Sequence, residues 1–233
     1  MQEDDVAREK KYRFERKYFI GEMDAAILRQ RASKVLSPDP HSDGPYHISS
    51  LYFDDVHNTA LVQKQHGDLV RNKLRIRYYN HDLDFLRLEH KHKNGDMISK
   101  QSVVMTREQY ESIKSGDYSF ALSRPEPLWH MFYVRRRTLG LAPSVTVDYD
   151  REVFIYVAGN VRITFDTNLR ASRPFSNISL PAMPPQSIIM ELKYDHFLPS
   201  IVAGLINAPL TQTTISKYTL CRDTLAHNHF AAS

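Results

Sequence analysis

The chain has 233 residues, 42% hydrophobic and 25% charged, an ordinary globular balance that can bury a sizeable core as one large β domain or two small ones. A net charge of +4, with a pI of about 9.0, is too small to imply nucleic acid, so the placement of charge has to carry the argument. The single cysteine, Cys221, excludes an intramolecular disulfide and a cysteine-rich zinc site, and it fits a reducing interior. The start, MQEDDVAREKKYRF, lacks an apolar signal core, and no apolar run approaches a membrane-spanning length. A cytoplasmic protein is expected.

Residues 1–10 are expected as a flexible N-terminus, followed by a strand at 11–20 and a helix at 24–36 with Asp24 as a cap. Ser37–Pro45 is loop-like, and strand alternation returns at 46–54, 69–80, 84–93 and 97–105. Asn94-Gly95 in HKNGD is a hairpin signal between the last two of these. Thr106 and Gln109 form a capping-box pattern for a helix at 107–114, and a helix at 125–139 runs from Pro125 to Gly140. Strands at 144–157 and 161–167 flank a turn at 158–160. A proline-rich loop, Arg173–Gln186, precedes a strand at 187–194 and helices at 198–206 and 217–227. No repeat or long linker divides the chain, so 11–228 is expected as one domain with a tail at 229–233. Strands dominate and helices connect them, which predicts an α+β fold with a mainly antiparallel sheet or barrel.

In RNKLRIRYYN, residues 71–80, a cation stands at every second position: Arg71, Lys73, Arg75 and Arg77. A strand sends alternate side chains to opposite faces, so one face is cationic and the other, with Leu74 and Ile76, is apolar. The pattern recurs with Lys11, Arg13, Glu15 and Lys17; with Arg87, Glu89, Lys91 and Lys93; with Arg162, Thr164 and Asp166; and with Glu191 and Lys193. An open sheet with a solvated charged face and helices on its apolar face is the commoner arrangement. Against it, arginine and lysine dominate these faces, and about eight strands suffice to close a barrel around one small ligand. Charges lining such a lumen repel strongly unless a polyanion or metal-bound phosphate neutralises them.

The stretches RFERKY, SSLYFDD, RNKLRIRYY, LEHKHK with SKQS, VDYDREVF, VRITFDTNL, IIMELKY and TISKYTLC occur in an order that resembles the VTC-type polyphosphate polymerase domain, a branch of the triphosphate tunnel metalloenzyme (CYTH-like) superfamily. The resemblance runs from about Tyr12 to Asp223. It implies an antiparallel eight-stranded β-barrel, a tunnel with a basic interior, flanked by helices. It also implies transfer of the terminal phosphoryl group of ATP to a growing inorganic polyphosphate chain, with divalent Mn²⁺ or Mg²⁺. Lys17, Arg75, Arg77, Lys91, Lys100, Arg151, Arg162 and Lys193 resemble the family's phosphate-binding cations. Ser216 and Lys217 resemble the pair at the start of its last helix, where backbone N–H groups also hold phosphate. Arg75, Arg77, Lys217 and Glu191 would carry catalysis, with Glu191 as metal ligand and Glu89 and Glu15 as candidates for a second carboxylate. The superfamily's hydrolases begin with E-x-E-x-K; here RFERK puts Arg13 in place of the first glutamate, as in the polymerase branch.

Phosphoryl transfer depends on positioning and charge neutralisation, and a phosphate acceptor is already ionised, so no nucleophilic Ser, Cys or His is expected. A hydrolase of tripolyphosphate or nucleoside triphosphate and a non-catalytic polyphosphate-binding protein stay open beside the polymerase. The expected partners are ATP and inorganic polyphosphate or triphosphate, not nucleic acid. A stand-alone catalytic domain, as in bacterial members, is expected; a separate membrane partner is compatible, and the oligomeric state is open. His90 and His92 are expected as packed or solvent-facing residues rather than a metal pair. Asp54 and Asp55 are expected at a strand end, with one of them bonding neighbouring backbone, rather than as a carboxylate metal pair. Lys11 and Arg71 are placed at the tunnel mouth or in solvent. Trp129, Phe132 and Tyr133 are expected in the core, and Arg135–Arg137 on a solvated helix face.

Overall fold

A computed structural model describes residues 13–40, 42–95, 97–207 and 210–230, with residues 229 and 230 described by their backbone alone. The stretch 1–10, Lys11 and residues 231–233 lie outside the described residues. The strands are β1 (Phe14–Gly21), β2 (Ser37–Pro38), β3 (Tyr46–Asp54), β4 (Val70–Tyr79), β5 (Asp82–Asn94), β6 (Met97–Met105), β7 (Ala142–Tyr156), β8 (Val161–Ser172), β9 (Ser179–Pro181), β10 (Ser187–Tyr194) and β11 (Gln212–Thr213). The helices are α1 (Glu22–Ala32), α2 (Thr59–His66), α3 (Arg107–Lys114), α4 (Pro127–Leu139), α5 (Ser200–Leu205) and α6 (Lys217–Phe230).

The strands form one antiparallel sheet in the order β11-β1-β10-β8-β7-β3-β4-β5-β6, with β2 on β7 and β9 on β8. The mixed α and β architecture is as expected, but the closed eight-stranded barrel is not. Among the described residues the sheet has 11 strands, and its hydrogen-bonded path is open, with β11 at one end and β6 at the other. Three of the strands are pieces of two or three residues, too short to leave an alternation in the sequence.

Local chemistry sets several boundaries. The capping box at α3 is complete: Gln109 N donates to Thr106 Oγ1 at 3.3 Å, and Thr106 N donates to Gln109 Oε1 at 3.0 Å. Helix α4 starts on Pro127 and stops at Gly140, which is left-handed at φ 65°; a Cβ there would stand 2.6 Å from Val56 Cγ1. The β5–β6 hairpin pairs Asn94 with Met97, so Gly95 opens its turn rather than closing it. Helix α2 is absent from the expected elements because none of its residues is buried, which removes the apolar stripe that marks a helix.

The apolar strand faces pack outward under helices. Leu74, Ile76, Leu86 and Leu88 join Trp129, Phe132, Ile113 and Tyr110 of α4 and α3 in one core. Tyr18, Ile20, Ile163, Phe165, Met190 and Leu192 join Ala25, Leu28 and Ala32 of α1 in a second. Tyr133 is only partly buried against the first core. The expected solvated cluster at 135–137 is corrected: Arg135 and Arg136 are half-buried, Arg136 bonding Leu141 O at 3.2 Å, and only Arg137 is exposed.

A third core lies on the opposite side of the sheet, where Tyr218 and Cys221 of α6 pack on Ile48, Tyr52, Val147, Tyr149 and Ile189. Asp54 anchors this helix. Its buried carboxylate accepts from Tyr218 Oη at 2.5 Å and from the backbone N–H groups of Ala60 and Leu61 at 2.9 and 3.2 Å. Asp55 accepts from His57 N and Thr59 N, both at 3.0 Å, so both aspartates bond backbone at this strand end, where one was expected to. Tyr218→Phe is expected to lower the unfolding free energy by about 1–3 kcal/mol, because it leaves a buried carboxylate one donor short. An unchanged urea midpoint and slope would show that the hydroxyl anchors nothing.

Candidate functional site

On β4 the apolar core takes Leu74 and Ile76, so Lys73, Arg75 and Arg77 turn to the other side of the sheet. There they meet the charged faces of β1, β5, β6, β7 and β10 and the start of α6 around one cavity of about 150 Å³. Its lining contains nine cations, Lys17, Lys73, Arg75, Arg77, Lys91, Lys100, Arg151, Lys193 and Lys217, against three carboxylates, Glu15, Glu89 and Glu191. The cationic faces therefore point inward. The cavity continues into a vestibule of about 510 Å³ that adds Lys64, Arg71 and Lys93 and shares Glu15, Lys17, Lys73, Lys91 and Ser216 with it. Arg71 stands at this mouth, as expected.

Cross-strand register builds the carboxylate–cation pairs. Lys17 faces Glu191 and Glu15 faces Lys193 across β1 and β10. Lys17 Nζ lies 3.0 Å from Glu15 and 3.9 Å from Glu191, while Lys193 pairs with Glu191 and lies 3.9 Å from Glu15. Burial opposes the charge on Glu191, yet Lys193, Lys17, Lys217 and Arg151 hold its carboxyl well below the usual range. Burial likewise opposes the charge on Lys17, and Glu191 and Glu15 push it up. Lys91 Nζ lies 3.6 Å from Glu15 and ties β5 to β1, although no ladder joins these strands among the described residues.

Glu89 is held on two sides. Arg75 donates to it at 2.7 Å through Nε, and Lys100 pairs with its other oxygen. Burial raises its pKa, but Arg75, Arg77 and Lys100 outweigh that and bring it down to about 2. Arg75 also donates to Tyr52 Oη at 2.8 Å. Burial pushes the Tyr52 phenol up; Arg75, Arg77 and Lys73 overcome this and bring it down to about 8. Arg151 forks onto Asp166 at 2.6 and 2.7 Å, and Lys217 reaches the same carboxylate at 2.5 Å. Asp166 is fully buried, and Lys217 and Arg151 keep it ionised against that burial.

All the expected phosphate-binding and carboxylate residues line this cavity except Arg162. Its guanidinium is held instead by Asp39 at 2.8 Å and Tyr46 Oη at 3.2 Å, so it does not line the cavity. His90 and His92 both bond Asn72 Oδ1, at 3.0 and 2.9 Å, and stand outside the cavity. Lys73, Asp166, Tyr52 and Tyr149 belong to the site or support it without having been singled out for it. For Lys73 and Asp166 the signal was present, since each shares a face with chosen residues. For the tyrosines it needed the register that sets Tyr52 opposite Arg75.

No three His, Cys, Asp or Glu side chains among the described residues converge closely enough to hold a metal by themselves. Glu15 and Glu191, bridged by two lysines, are the nearest approach to a ligand pair, while Glu89 is engaged by Arg75 and Lys100. This donor set fits a hard cation that takes one or two carboxylates and completes its shell with phosphate oxygens and water.

The model of the VTC domain matches residues 12–226. The chain belongs to the VTC domain family. Among solved structures, the PH1819 protein from Pyrococcus horikoshii OT3 is similar to this VTC domain at 13% identity and a TM-score of 0.50, covering 91% of this chain and 99% of that one. A Bacillus halodurans protein provisionally called an adenylate cyclase aligns at 12% identity and a TM-score of 0.47, over 96% of this chain and 91% of its own. At such identities the likeness concerns the fold alone. No curated protein matches the chain.

Glu89 contributes stability only while ionised. Its folded pKa is depressed to about 2 from 4.5, so that contribution is present above pH 4.5 and lost as pH falls towards 2. Unfolding free energy is expected to drop across that window, and Glu89→Gln to flatten the drop. A Gln variant with an unaltered pH profile would mean that Glu89 is not a linked group.

Proposed function

We propose that this VTC domain is an ATP-dependent polyphosphate polymerase whose curled sheet serves as the tunnel for the chain. What carries the reading is the charge of the cavity: nine cations against three carboxylates, opening into a vestibule with three more cations on which a chain can extend. An excess of this size, partly buried, needs a polyanion to offset it.

In the proposed reaction the bond between the γ phosphorus and its bridging oxygen breaks, and the bonding pair leaves with ADP. A new bond forms between that phosphorus and a terminal oxygen of the chain, which is already ionised and gives up no proton. Arg75 and Arg77 grip phosphate oxygens with planar forks, and Lys217 and Ser216 present charge and backbone N–H groups at the start of α6. Glu89, Tyr52 and Tyr149 hold the two arginines in place. Glu191 with Glu15 would hold Mg²⁺ or Mn²⁺, which when bound to the phosphates neutralises the charge that develops on them. Arg13 supports the polymerase over the hydrolase: it is tied to Asp195 at 3.0 Å and to Asn160 O at 2.7 Å, and adds no carboxylate to the cavity.

Incubation with ATP and Mn²⁺ or Mg²⁺, with and without a short polyphosphate primer, is expected to give long chains and matching ADP. Glu191→Gln and the double variant Arg75→Ala/Arg77→Ala are expected to abolish both, about a hundredfold or more below the parent protein. Free phosphate without chains would make the protein a hydrolase. Polyphosphate binding without any turnover would make it a receptor.

A further inference from the structure

The cations of the inner cavity differ in what they already face. Lys17, Lys91 and Lys193 pair with Glu15 or Glu191, Arg75 and Lys100 with Glu89, and Arg151 and Lys217 with Asp166. Among the described residues, Lys73 and Arg77 have neutral partners instead. Lys73 Nζ donates to Ser216 Oγ at 3.1 Å and lies 5.1 Å from the Tyr218 ring centre. Arg77 donates to Ser50 Oγ and Tyr149 Oη, both at 3.3 Å.

We propose that Lys73, together with Arg77, supplies the charge, bonded directly to no carboxylate, that first grips the phosphate chain, and that Lys73 holds the chain where the inner cavity opens into the vestibule. This rests on the reading of the cavity as a phosphate-chain site. A cation already paired with a carboxylate offers an incoming phosphate little net charge, and its partner repels the phosphate. A cation held by a hydroxyl trades a neutral partner for a charged one, and charge-assisted bonds are about twice as strong. Lys73 is one of the few residues that line both the inner cavity and the vestibule, so an anion on it is at the junction.

Spacing adds selectivity. Lys73 and Arg77 lie on the same face of β4, four residues and therefore about 13 Å apart along the strand. Two free charges at that separation favour a linear chain over a single phosphate. Burial without a carboxylate also pulls the Lys73 ammonium down to about 8, Tyr52 offsetting only part of this. At neutral pH Lys73 is still mostly charged, and a phosphate beside it would raise its pKa again.

The test is calorimetric titration with inorganic tripolyphosphate and no nucleotide. Lys73→Met is expected to weaken binding about tenfold or more. Lys91→Met, which also lines both spaces but is partnered by Glu15, is expected to lose less by at least about threefold on the same scale. A second measurement avoids variants: in the parent protein, tripolyphosphate should shield Lys73 from acetylation by an amine-reactive ester, read by mass spectrometry. Loss in Lys73→Met no greater than in Lys91→Met, or acetylation of Lys73 unaffected by tripolyphosphate, would overturn the inference while leaving the phosphate site intact. A parent protein that binds no tripolyphosphate would overturn the proposed function and this inference with it.

Discussion

Nine cations around one small cavity repel one another, and the rest of the molecule is arranged to bear that repulsion. At an effective dielectric near 20, two like charges 4 Å apart cost about 4 kcal/mol, so several such contacts would exceed the whole stability of a domain. Four carboxylates share the compensation: Glu15 and Glu191 bridge three lysines, Glu89 joins Arg75 to Lys100, and buried Asp166 joins Arg151 to Lys217. Each is ionised at the expense of its own desolvation, which its cations more than offset. The compensation remains partial, and the residue of positive charge is what gives the cavity its chemistry.

Holding the charges together falls to apolar packing on the outer faces. Helices α3 and α4 bury the back of β4 and β5, and α1 buries the back of β1, β8 and β10, so neither half of the sheet can turn its cations to solvent without exposing a core. Helix α6 plugs the inner side at the apolar end, through Tyr218 and Cys221, and thereby sets Ser216 and Lys217 at the cavity's edge. With the walls fixed this way, the ladder need not close. The ion pair of Lys91 with Glu15 bridges β5 and β1 across the inside.

Much of this was legible in the sequence because alternation within a strand is a local property. Lys73, Arg75 and Arg77 against Leu74 and Ile76 already state that one face is charged and the other apolar, and a capping box or a proline at a first turn marks a helix within a few residues. Which face points inward, however, depends on what covers the other, and that is decided by helices far along the chain. Partners were less legible for the same reason. Tyr52 meets Arg75 and Glu191 meets Lys17 only through register, and Arg162 is diverted to Asp39 from a loop that no alternation marks. The closed barrel failed as an expectation because counting strands gives their number, not whether the last one reaches the first.

The most direct test of the charge account is thermal unfolding of the free protein with inorganic tripolyphosphate, compared with sulfate at matched ionic strength. If the cavity's uncompensated cations are what a polyanion answers, ligand at a hundredfold excess over its Kd stabilises the fold by about 2.7 kcal/mol. For a chain of this size that raises the midpoint by about 5–10 °C, with little shift in sulfate. Equal shifts in the two salts, or none in either, would contradict it.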